Sequence, residues 1–250
     1  QGLAVVVRTA EHTLLYDTGP LYSAESDAGQ RIVVPYLRAT GVERIDTLVV
    51  THRDTDHSGG VVAVQEALPI GRTLSSLPEL PGERCAAGQA WEWDGVRFSM
   101  LHPQADDYQR KVVRNNNMSC VLRVENAFGS VLLTSDIEAR DEQALLARTP
   151  EMLPSDVLLV PHHGSATSST ADFIAAVGAR DVIFPVGYRN RFHHPRPDIV
   201  ERYAGRRLWR TDADGAIRIS LGKGVVLSSY RAERRRYWQG AVAARSEESP

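Results

Sequence analysis

Short apolar runs separated by turn residues recur along this chain, and segments with apolar residues at helical spacing lie between several of them. Runs of about four to eight residues bounded by Gly, Pro, Asn or Asp are typical of buried strands. The pattern predicts strands at residues 3–8, 12–17, 47–51, 72–76, 90–93, 96–102, 120–125, 130–134, 157–161, 181–185, 207–210, 216–220 and 225–230, and helices at 32–40, 61–68, 140–148, 170–177 and 197–204. Two sheets with helices outside them make an α/β fold, so we expect a four-layer αββα sandwich.

A single domain accounts for most of the chain. Its 250 residues are 42% hydrophobic, which suffices for a sizeable core, and no linker or repeat divides them. We expect this domain over residues 1–230, with a truncated first strand, because Gln1 neither initiates a chain nor begins a signal peptide. Residues 231–250 form a basic extension whose small and polar end is typical of disorder. No apolar run reaches the roughly 18 residues that span a bilayer.

Nearly all of the positive charge is arginine. The formal net charge is -2, and residues 189–210 hold seven arginines. Arginine forks pair well with phosphate, which predicts an anion-binding face, although ordinary solvated surface explains the same composition equally well. Two cysteines are too few for a disulfide framework, and Cys120 lies in a strand-like run, so we expect a free buried thiol there.

The segment THRDTDHSGG at residues 51–60 carries the most distinctive chemistry. It places His52, Asp54, Asp56 and His57 within six residues at the end of a predicted strand. Two imidazoles and two carboxylates this close would repel one another or stay unsatisfied without a cation. The spacing therefore predicts a metal site.

Two further groups of candidate ligands follow later strands. Asp136 comes after the run 130–134 and is suited to bridge two metal ions, although an Asp in front of a helix is also a common N-cap. His162 and His163 follow the strand 157–161 and complete a dinuclear set. One of this pair is expected to ligate and the other to contact substrate or the first His. The sequence leaves open which.

The pattern H-x-D-x-D-H-x-G-G resembles the signature of the metallo-β-lactamase superfamily, whose usual form is H-x-H-x-D-H. Asp54 stands where the second His is usual. A carboxylate in place of an imidazole makes the donor set harder and favours Mn²⁺ or Mg²⁺ over Zn²⁺.

Seven motifs in order narrow the resemblance. They are DTGP at 17–20, the metal turn at 51–60, NNMSCVL at 116–122, TSDIE at 134–138, PHHGSATSS at 161–169, NRFHHP at 190–195 and RTDADGAI at 210–217. Together they resemble the carboxy-terminal metallo-β-lactamase-like domain of the ComEC/Rec2 family of bacterial competence proteins. Ser135 and His193 each stand where the family usually has a glycine.

This resemblance implies the metallo-β-lactamase fold and a metal-dependent deoxyribonuclease. The nuclease would belong to an inner-membrane DNA-uptake channel and act on the strand that is not transported during natural transformation. Two divalent cations are implied, Mn²⁺ first, with Mg²⁺ or Zn²⁺ as alternatives, and we expect no nucleotide cofactor. The implied partners are the DNA backbone, with little sequence preference, and the transmembrane channel domain of the same parent protein. The domain is expected to face the periplasm or the cell exterior.

Site residues follow from the matching motifs. The expected metal ligands are His52, Asp54, Asp56, His57, Asp136, His162 and His163, with residues around Asp17 orienting the turn. The expected catalytic residues are Asp56, His194, Asn117 and Ser119. His194 is a candidate to protonate the leaving group or contact phosphate, and many relatives have a His where Asn117 and Ser119 stand. The expected substrate-binding residues are Arg189, Arg191, Ser165 and Ser168, whose hydroxyls are equally suited to cap a helix.

Two other classes of function fit the same residues. The first is another binuclear hydrolase, such as a phosphorylcholine esterase or lactonase, for which an apolar substrate pocket is expected. The second is a DNA-binding domain of the channel without catalytic activity, which the missing imidazole near Asn117 permits.

Overall fold

A computed structural model describes residues 1–110 and 114–234 of the chain. In chain order the strands are β1 (Val5–Arg8), β2 (Thr13–Tyr16), β3 (Leu21–Ser23), β4 (Ser26–Asp27), β5 (Ile45–Val50), β6 (Ile70–Ser75), β7 (Glu83–Arg84), β8 (Ala90–Trp93), β9 (Val96–His102), β10 (Val121–Asn126), β11 (Gly129–Leu133), β12 (Val157–Leu159), β13 (Asp181–Phe184), β14 (Arg207–Arg210), β15 (Ile217–Leu221) and β16 (Val225–Ser229). The α-helices are α1 (Val34–Ala39), α2 (Thr55–Ser58), α3 (Val61–Ala67), α4 (Ala139–Arg148), α5 (Ala171–Val177), α6 (Pro197–Glu201), α7 (Thr211–Asp214) and α8 (Tyr230–Glu233). No described helix has the length and apolar character needed to cross a bilayer.

Two main sheets organise the described chain. The first has the strand order β1-β2-β5-β6-β7, and the second has the order β14-β13-β12-β11-β10-β9-β8. Strands β2, β5 and β6 are parallel neighbours, and so are β11, β12, β13 and β14. Because parallel neighbours end at the same edge of a sheet, the loops after these strands collect polar side chains at that edge.

Helices cover the outer face of each sheet. The inner faces share one core in which Tyr16 and Leu122 are fully buried. Helices α1 and α3 pack on the first sheet around Leu37, and α4, α5 and α6 pack on the second around Phe173. The predicted four-layer αββα sandwich is confirmed.

The predicted elements match the observed ones closely where the apolar pattern is regular. β8, β9 and β14 have the predicted bounds, whereas α6 ends earlier than expected. The prediction missed the short elements β3, β4, β7, α2, α7 and α8, which are too brief to show a period. At the end of the described chain, Arg231 donates to the carbonyls of Asp212 and Ala213. The predicted disordered tail lies outside the described residues.

The two cysteines form a disulfide, so the expectation of a free thiol at Cys120 was wrong. Cys85 and Cys120 have Cα atoms 5.9 Å apart, although 35 positions separate them in sequence. Backbone hydrogen bonds set this approach, because Cys85 N donates to Ser75 O and Cys120 N donates to Thr51 O. The bond ties the edge of the first sheet to the start of β10 in the second.

Candidate metal centre

The predicted metal turn begins where β5 leaves the first sheet. His52 and His57 are fully buried in it, while Asp54 is half-exposed at the N-cap of α2. Gly59 allows the turn to close, because a Cβ there would lie 2.1 Å from a backbone nitrogen at the start of β3. The two imidazoles are therefore held by buried backbone.

Asp136 lies at the centre of the candidate ligands. It is buried just after β11, and its two oxygens face different neighbours. Oδ1 is 3.2 Å from His57 Nε2 and 3.4 Å from His163 Nε2. Oδ2 is 3.9 Å from His52 Nε2 and 3.8 Å from His162 Nε2. A carboxylate placed in this way is suited to bridge two cations.

The adjacent histidines reach opposite sides of this carboxylate. His162 and His163 both have left-handed backbone, with φ of 47° and 54°, which is uncommon for residues with a side chain. His163 is buried, and its Nε2 is also 3.5 Å from Asp56 Oδ2. His162 is partly exposed on the Oδ2 side. Both histidines therefore face Asp136, each at its own oxygen.

Hydrogen bonds at the outer ring nitrogens aim two of the imidazoles inward. Asp17 Oδ2 accepts from His57 Nδ1 at 2.8 Å, and the Pro185 carbonyl accepts from His163 Nδ1 at 2.7 Å. Because these nitrogens carry the proton, the Nε2 lone pairs point into the cluster. The two Nε2 atoms are 3.1 Å apart. Two lone pairs at this distance repel each other unless a cation or a proton joins them.

His52 is oriented through the hydroxyl of Thr51. This hydroxyl donates to Asp17 Oδ2 at 2.9 Å, so it accepts from His52 Nδ1 at 3.0 Å. His52 Nε2 is then a buried acceptor, and it has no hydrogen-bond partner among the described residues. Leaving such an atom unsatisfied costs about 1–3 kcal/mol. A divalent cation would satisfy it, so the donor set fits a metal.

Burial and neighbouring charges shift the pKa values of the candidate ligands in different directions. Burial acts to raise the pKa of Asp136, but His163 and His57 outweigh it and hold that pKa well below its ordinary value. Burial opposes the charged form of His163, yet Asp136 raises the pKa of His163 to about 9. Burial and His57 lower the pKa of His52 to about 3. The central carboxylate is ionised and His52 is neutral, which are the forms that bind metals, whereas the raised pKa values of His57 and His163 mean that a cation would have to displace a proton from each.

Ser119 and Asn117, both predicted as catalytic, occupy different places. Ser119 is buried, its hydroxyl accepts from Asp136 N at 3.2 Å, and it lies 3.4 Å from His52 Nδ1. The amide of Asn117 points the other way and donates to Asp141 at 2.6 Å. Ser119 therefore positions two candidate ligands, and Asn117 does not reach the cluster.

Sequence reasoning missed Asn115 as a site residue. Its amide donates to Asp54 Oδ1 at 2.7 Å, and the amide of Asn116 lies 3.3 Å from His162 Nε2. The available signal was a run of three consecutive asparagines in front of β10. These amides hold the two outermost candidate ligands.

His194 lies beside the cluster. Its ring centroid is 6.0 Å from that of His162, and the ring stacks on Phe192. Asn190 fixes it by accepting from His194 N at 3.0 Å and donating to its carbonyl at 2.7 Å. Nδ1 of His194 is buried, with no hydrogen-bond partner in the described chain. Burial lowers the pKa of His194 to about 4, so the ring is neutral near neutral pH and is suited to hydrogen bonding more than to acid catalysis.

Arg189 and Arg191 extend from the exposed loop that leads to His194. Their guanidinium carbons lie 5.2 Å and 4.9 Å from the rings of Tyr188 and Phe192, which are 68% and 49% exposed. Such cation–π pairs hold the charge at the surface while leaving it open to an anion. The predicted pair of substrate-binding arginines therefore lies at the surface of the loop that leads to His194.

Other arginines of the 189–210 segment have internal partners. Arg202 donates to Ser169 O at 2.9 Å, Arg207 pairs with the buried Asp181, and Arg210 pairs with Asp212 at 2.8 Å. The predicted anion-binding face is thus limited to the exposed loop and does not extend along the whole segment.

Ser165 and Ser168 brace the histidine turn. Ser168 is buried and donates to Pro161 O at 2.9 Å. Ser165 Oγ is 3.3 Å from Thr167 Oγ1, which in turn lies 3.0 Å from His162 Nδ1. These contacts give Ser168 a structural role and connect Ser165 indirectly to His162.

Comparison with known proteins agrees with this geometry. The family model of the metallo-β-lactamase superfamily matches residues 1–113. The chain is 40% identical to Competence protein ComA of Neisseria gonorrhoeae over 96% of its length, covering 34% of that protein. It is 35% identical to Recombination protein 2 of Haemophilus influenzae over 81% of its length, covering 25% of that protein. The chain thus spans only a quarter to a third of these relatives.

Solved structures share the fold at low sequence identity. YhfI of Bacillus subtilis, a metallo-β-lactamase fold protein, aligns with a TM-score of 0.53 at 13% identity, over 84% of this chain and 88% of that one. CmlA of Streptomyces venezuelae, a diiron β-hydroxylase, aligns with a TM-score of 0.50 at 13% identity, over 83% of this chain and 51% of that one. Together with the sequence relatives, the fold and the ligand motif establish that the chain is a metallo-β-lactamase domain and belongs with the ComEC/Rec2 competence proteins.

Proposed function

We propose that this domain is a metal-dependent nuclease that hydrolyses phosphodiester bonds of incoming DNA as part of a longer DNA-uptake protein. The observation that carries the proposal is the position of Asp136, whose two oxygens face separate groups of imidazoles. This is the arrangement that a two-metal hydrolytic site requires. The names of the relatives, a competence protein and a recombination protein, favour DNA as the substrate.

The side chains of the site would have three roles: some hold the cations, some orient the ligands, and some contact the substrate. Asp56, His57 and His163 would hold one cation and His52, Asp54 and His162 the other, with Asp136 shared. When bound, such a pair of cations acidifies water and stabilises charge on the phosphoryl group, and the carboxylate at Asp54 favours Mn²⁺. Asp17 and Thr51 keep the imidazoles turned inward.

The surroundings of the cluster favour a phosphodiester over an apolar substrate. Arg189 and Arg191 stand on the exposed loop, and Tyr188, whose ring is 68% exposed, offers an aromatic surface on which an unstacked base could rest. Contacts between arginine and the DNA backbone do not distinguish one base from another, so we expect cleavage without strong sequence preference. A sharply sequence-specific product ladder would contradict that expectation.

The disulfide bears on where the domain works. Cys85 and Cys120 are joined within the fold, and such bonds persist in oxidising compartments but not in the reducing bacterial cytoplasm. This favours a domain that faces the periplasm or the cell exterior, attached to the membrane channel of its parent protein. The strand left outside the cell would then be within its reach.

The test is hydrolysis of labelled single- and double-stranded DNA by the purified domain after chelation, with Mn²⁺, Mg²⁺ or Zn²⁺ restored separately. We expect the wild type to cut DNA with Mn²⁺. In Asp54→Ala the rate of cutting should fall by at least roughly 10–100-fold, the loss that is typical when a metal site loses a supporting group. Asp172→Ala, which removes an exposed carboxylate on α5, is the matched control and should cut like the wild type.

Two outcomes would overturn the proposal. Hydrolysis of a phosphorylcholine ester or a lactone, with intact DNA, would assign the site to another binuclear hydrolase. Measurable metal uptake without cutting of any substrate would indicate a domain that holds DNA at the channel.

A further inference from the structure

A second polar cavity lies on the far side of the Asn116–Met118 turn from the metal cluster. It has a volume of about 160 Å³, and its lining includes His102, Asn117, Asp141 and the arginines at 140 and 148. One water needs only about 10–15 Å³ of such space. The cavity, called the α4 pocket below, therefore has room for a tetrahedral oxyanion.

The helix α4 supplies one wall of the α4 pocket. Arg140, Ala144 and Arg148 follow one another at intervals of four residues, so they share one face of the helix. The small side chain of Ala144 leaves open the space between the two guanidinium groups. This spacing places the guanidinium groups of Arg140 and Arg148 at the same cavity.

The floor of the α4 pocket is held rigidly. His102 is buried, and burial lowers its pKa, so the ring is neutral. Its Nε2 donates to Asn117 O at 2.8 Å, which leaves Nδ1 as an acceptor facing a guanidinium nitrogen of Arg148 at 3.5 Å. The neutral ring thereby orients Arg148 toward the pocket and leaves the charge of the guanidinium group unpaired by this contact.

The carboxylates in the lining are already engaged. Asp141 accepts from Asn117 at 2.6 Å and from Glu138 N at 3.1 Å. Asp107 accepts from Gln104 N at 2.9 Å and pairs with Arg110 at 3.1 Å. Arg140 and Arg148, in contrast, have no carboxylate partner within residues 1–110 and 114–234. With three arginines and two carboxylates, the lining of the pocket carries a net positive charge.

We infer that the α4 pocket binds a phosphate group through Arg140 and Arg148. Arginine forks match the oxygens of phosphate in geometry as well as charge, and two of them facing one cavity make a specific oxyanion site. The phosphate could belong to a nucleic acid strand or to a free phosphate monoester. Binding of phosphate as such does not depend on the function proposed above.

The position of the α4 pocket favours the strand as the source, an assignment that rests on the proposed function. Asn117 lines the pocket, while its neighbour Asn116 contacts His162 in the metal cluster. A wider cavity of about 250 Å³ adjoins the pocket through Asp107 and Arg110. A strand with one phosphate at the metal cluster could thus place another, further along, in the α4 pocket.

The test is calorimetric titration of the metal-stripped domain with inorganic phosphate and, separately, with a short oligothymidylate that lacks terminal phosphates. Chelation removes any phosphate binding that depends on the metal cluster. The variants are Arg148→Gln and Arg140→Gln/Arg148→Gln, which shorten exposed side chains and should not disturb the core. Arg218→Gln on β15 is the matched control, because Arg218 is also exposed and lies in the separate β15–β16 hairpin.

We expect saturable phosphate binding by the wild type and by Arg218→Gln, weakened about tenfold or more in the double variant, since each lost fork removes charge-assisted hydrogen bonds. Tighter binding of the oligothymidylate than of inorganic phosphate would assign the pocket to a strand, and the reverse order would assign it to a monoester. Absence of phosphate binding, or equal binding by the double variant, would overturn the inference. Phosphate binding without DNA hydrolysis would refute the nuclease proposal alone.

Discussion

Asp17 Oδ2 lies 2.8 Å from Nδ1 of His57, and both side chains are completely buried. Asp17 also accepts from the Thr51 backbone at 2.8 Å and from its hydroxyl at 2.9 Å. One carboxylate thus fixes the proton on His57 and, through Thr51, the orientation of His52. Two candidate metal ligands depend on a residue that reaches neither cation position itself.

Asp17→Asn should weaken Mn²⁺ binding by about 10–100-fold, because the carboxylate partner of a ligating imidazole sets its tautomer and basicity. The measurement is a calorimetric titration of the metal-stripped protein with Mn²⁺. Asp156→Asn is the control, since Asp156 also accepts from a backbone N–H and a hydroxyl, both of Ser130, but away from the cluster. Unchanged Mn²⁺ affinity in Asp17→Asn would show that His57 does not need this partner.

His162 and His163 should differ in their contribution to metal binding. Asn is the suitable replacement for both, because it tolerates the left-handed backbone that these residues adopt. His163 is buried among Asp136 and Asp56, so His163→Asn should lower metal affinity about tenfold or more, as loss of a ligand does. His162→Asn should lower metal affinity by a smaller factor. Metal content per chain after dialysis measures both, and equal losses would contradict the distinction.

The regular parts of the fold and the donor set could be predicted from sequence, because each depends on residues close together in the chain. The apolar runs of β8 and β9 and the spacing of His52 and His57 are local patterns. The link between Cys85 and Cys120 could not be predicted, since it depends on which strand edges meet.

The internal partners of the arginine-rich segment could not be predicted from sequence either. Composition shows the charge of Arg207, but only the parallel pairing of β13 with β14 shows that Asp181 already neutralises it. The places of His162 and His163 depend in the same way on two left-handed residues in succession, for which sequence gives no signal. What sequence missed was therefore contact between distant segments, as at Asp181 and Arg207, and the unusual local backbone at His162 and His163.

Removing the disulfide should destabilise the domain. Cys85 and Cys120 close a loop with a sequence separation of 35, for which constraint of the unfolded chain predicts a loss of about 2–4 kcal/mol in the free energy of unfolding. Urea unfolding of Cys85→Ala/Cys120→Ala measures it. Reductant should lower the stability of the wild type toward that of the variant and leave the variant unchanged. An effect of reductant on the variant would place the cause elsewhere.

Asp94 should stabilise the fold at neutral pH but not in acid. The Thr9 hydroxyl at 2.6 Å, the Glu11 backbone N–H and His12 lower the pKa of Asp94 to about 2. A lowered carboxyl pKa means that the stabilisation is present above the unfolded value near 4 and disappears as pH falls toward 2. Asp94→Asn should therefore lower the thermal midpoint at neutral pH, with the difference from wild type vanishing in strong acid.

Glu43→Gln, which changes an exposed carboxylate in the loop between α1 and β5, is the control for this pH dependence. It should follow the wild type at every pH. A midpoint difference for Asp94→Asn that persists unchanged in strong acid would mean that ionisation of Asp94 is not its source.

His194→Ala should lower the turnover number for DNA by about 10–100-fold while metal content stays at the wild-type level. Its ring stands 6.0 Å from His162 and is partly exposed, so it can contact a phosphate group bound at the cluster. With a pKa of about 4 the ring does not titrate near neutral pH, and the variant should keep the shape of the wild-type pH profile there. His193→Asn, which alters the exposed neighbour and tolerates its left-handed backbone, is the control. If the variant lost a titration limb near neutral pH, His194 would instead be the acid that protonates the leaving group.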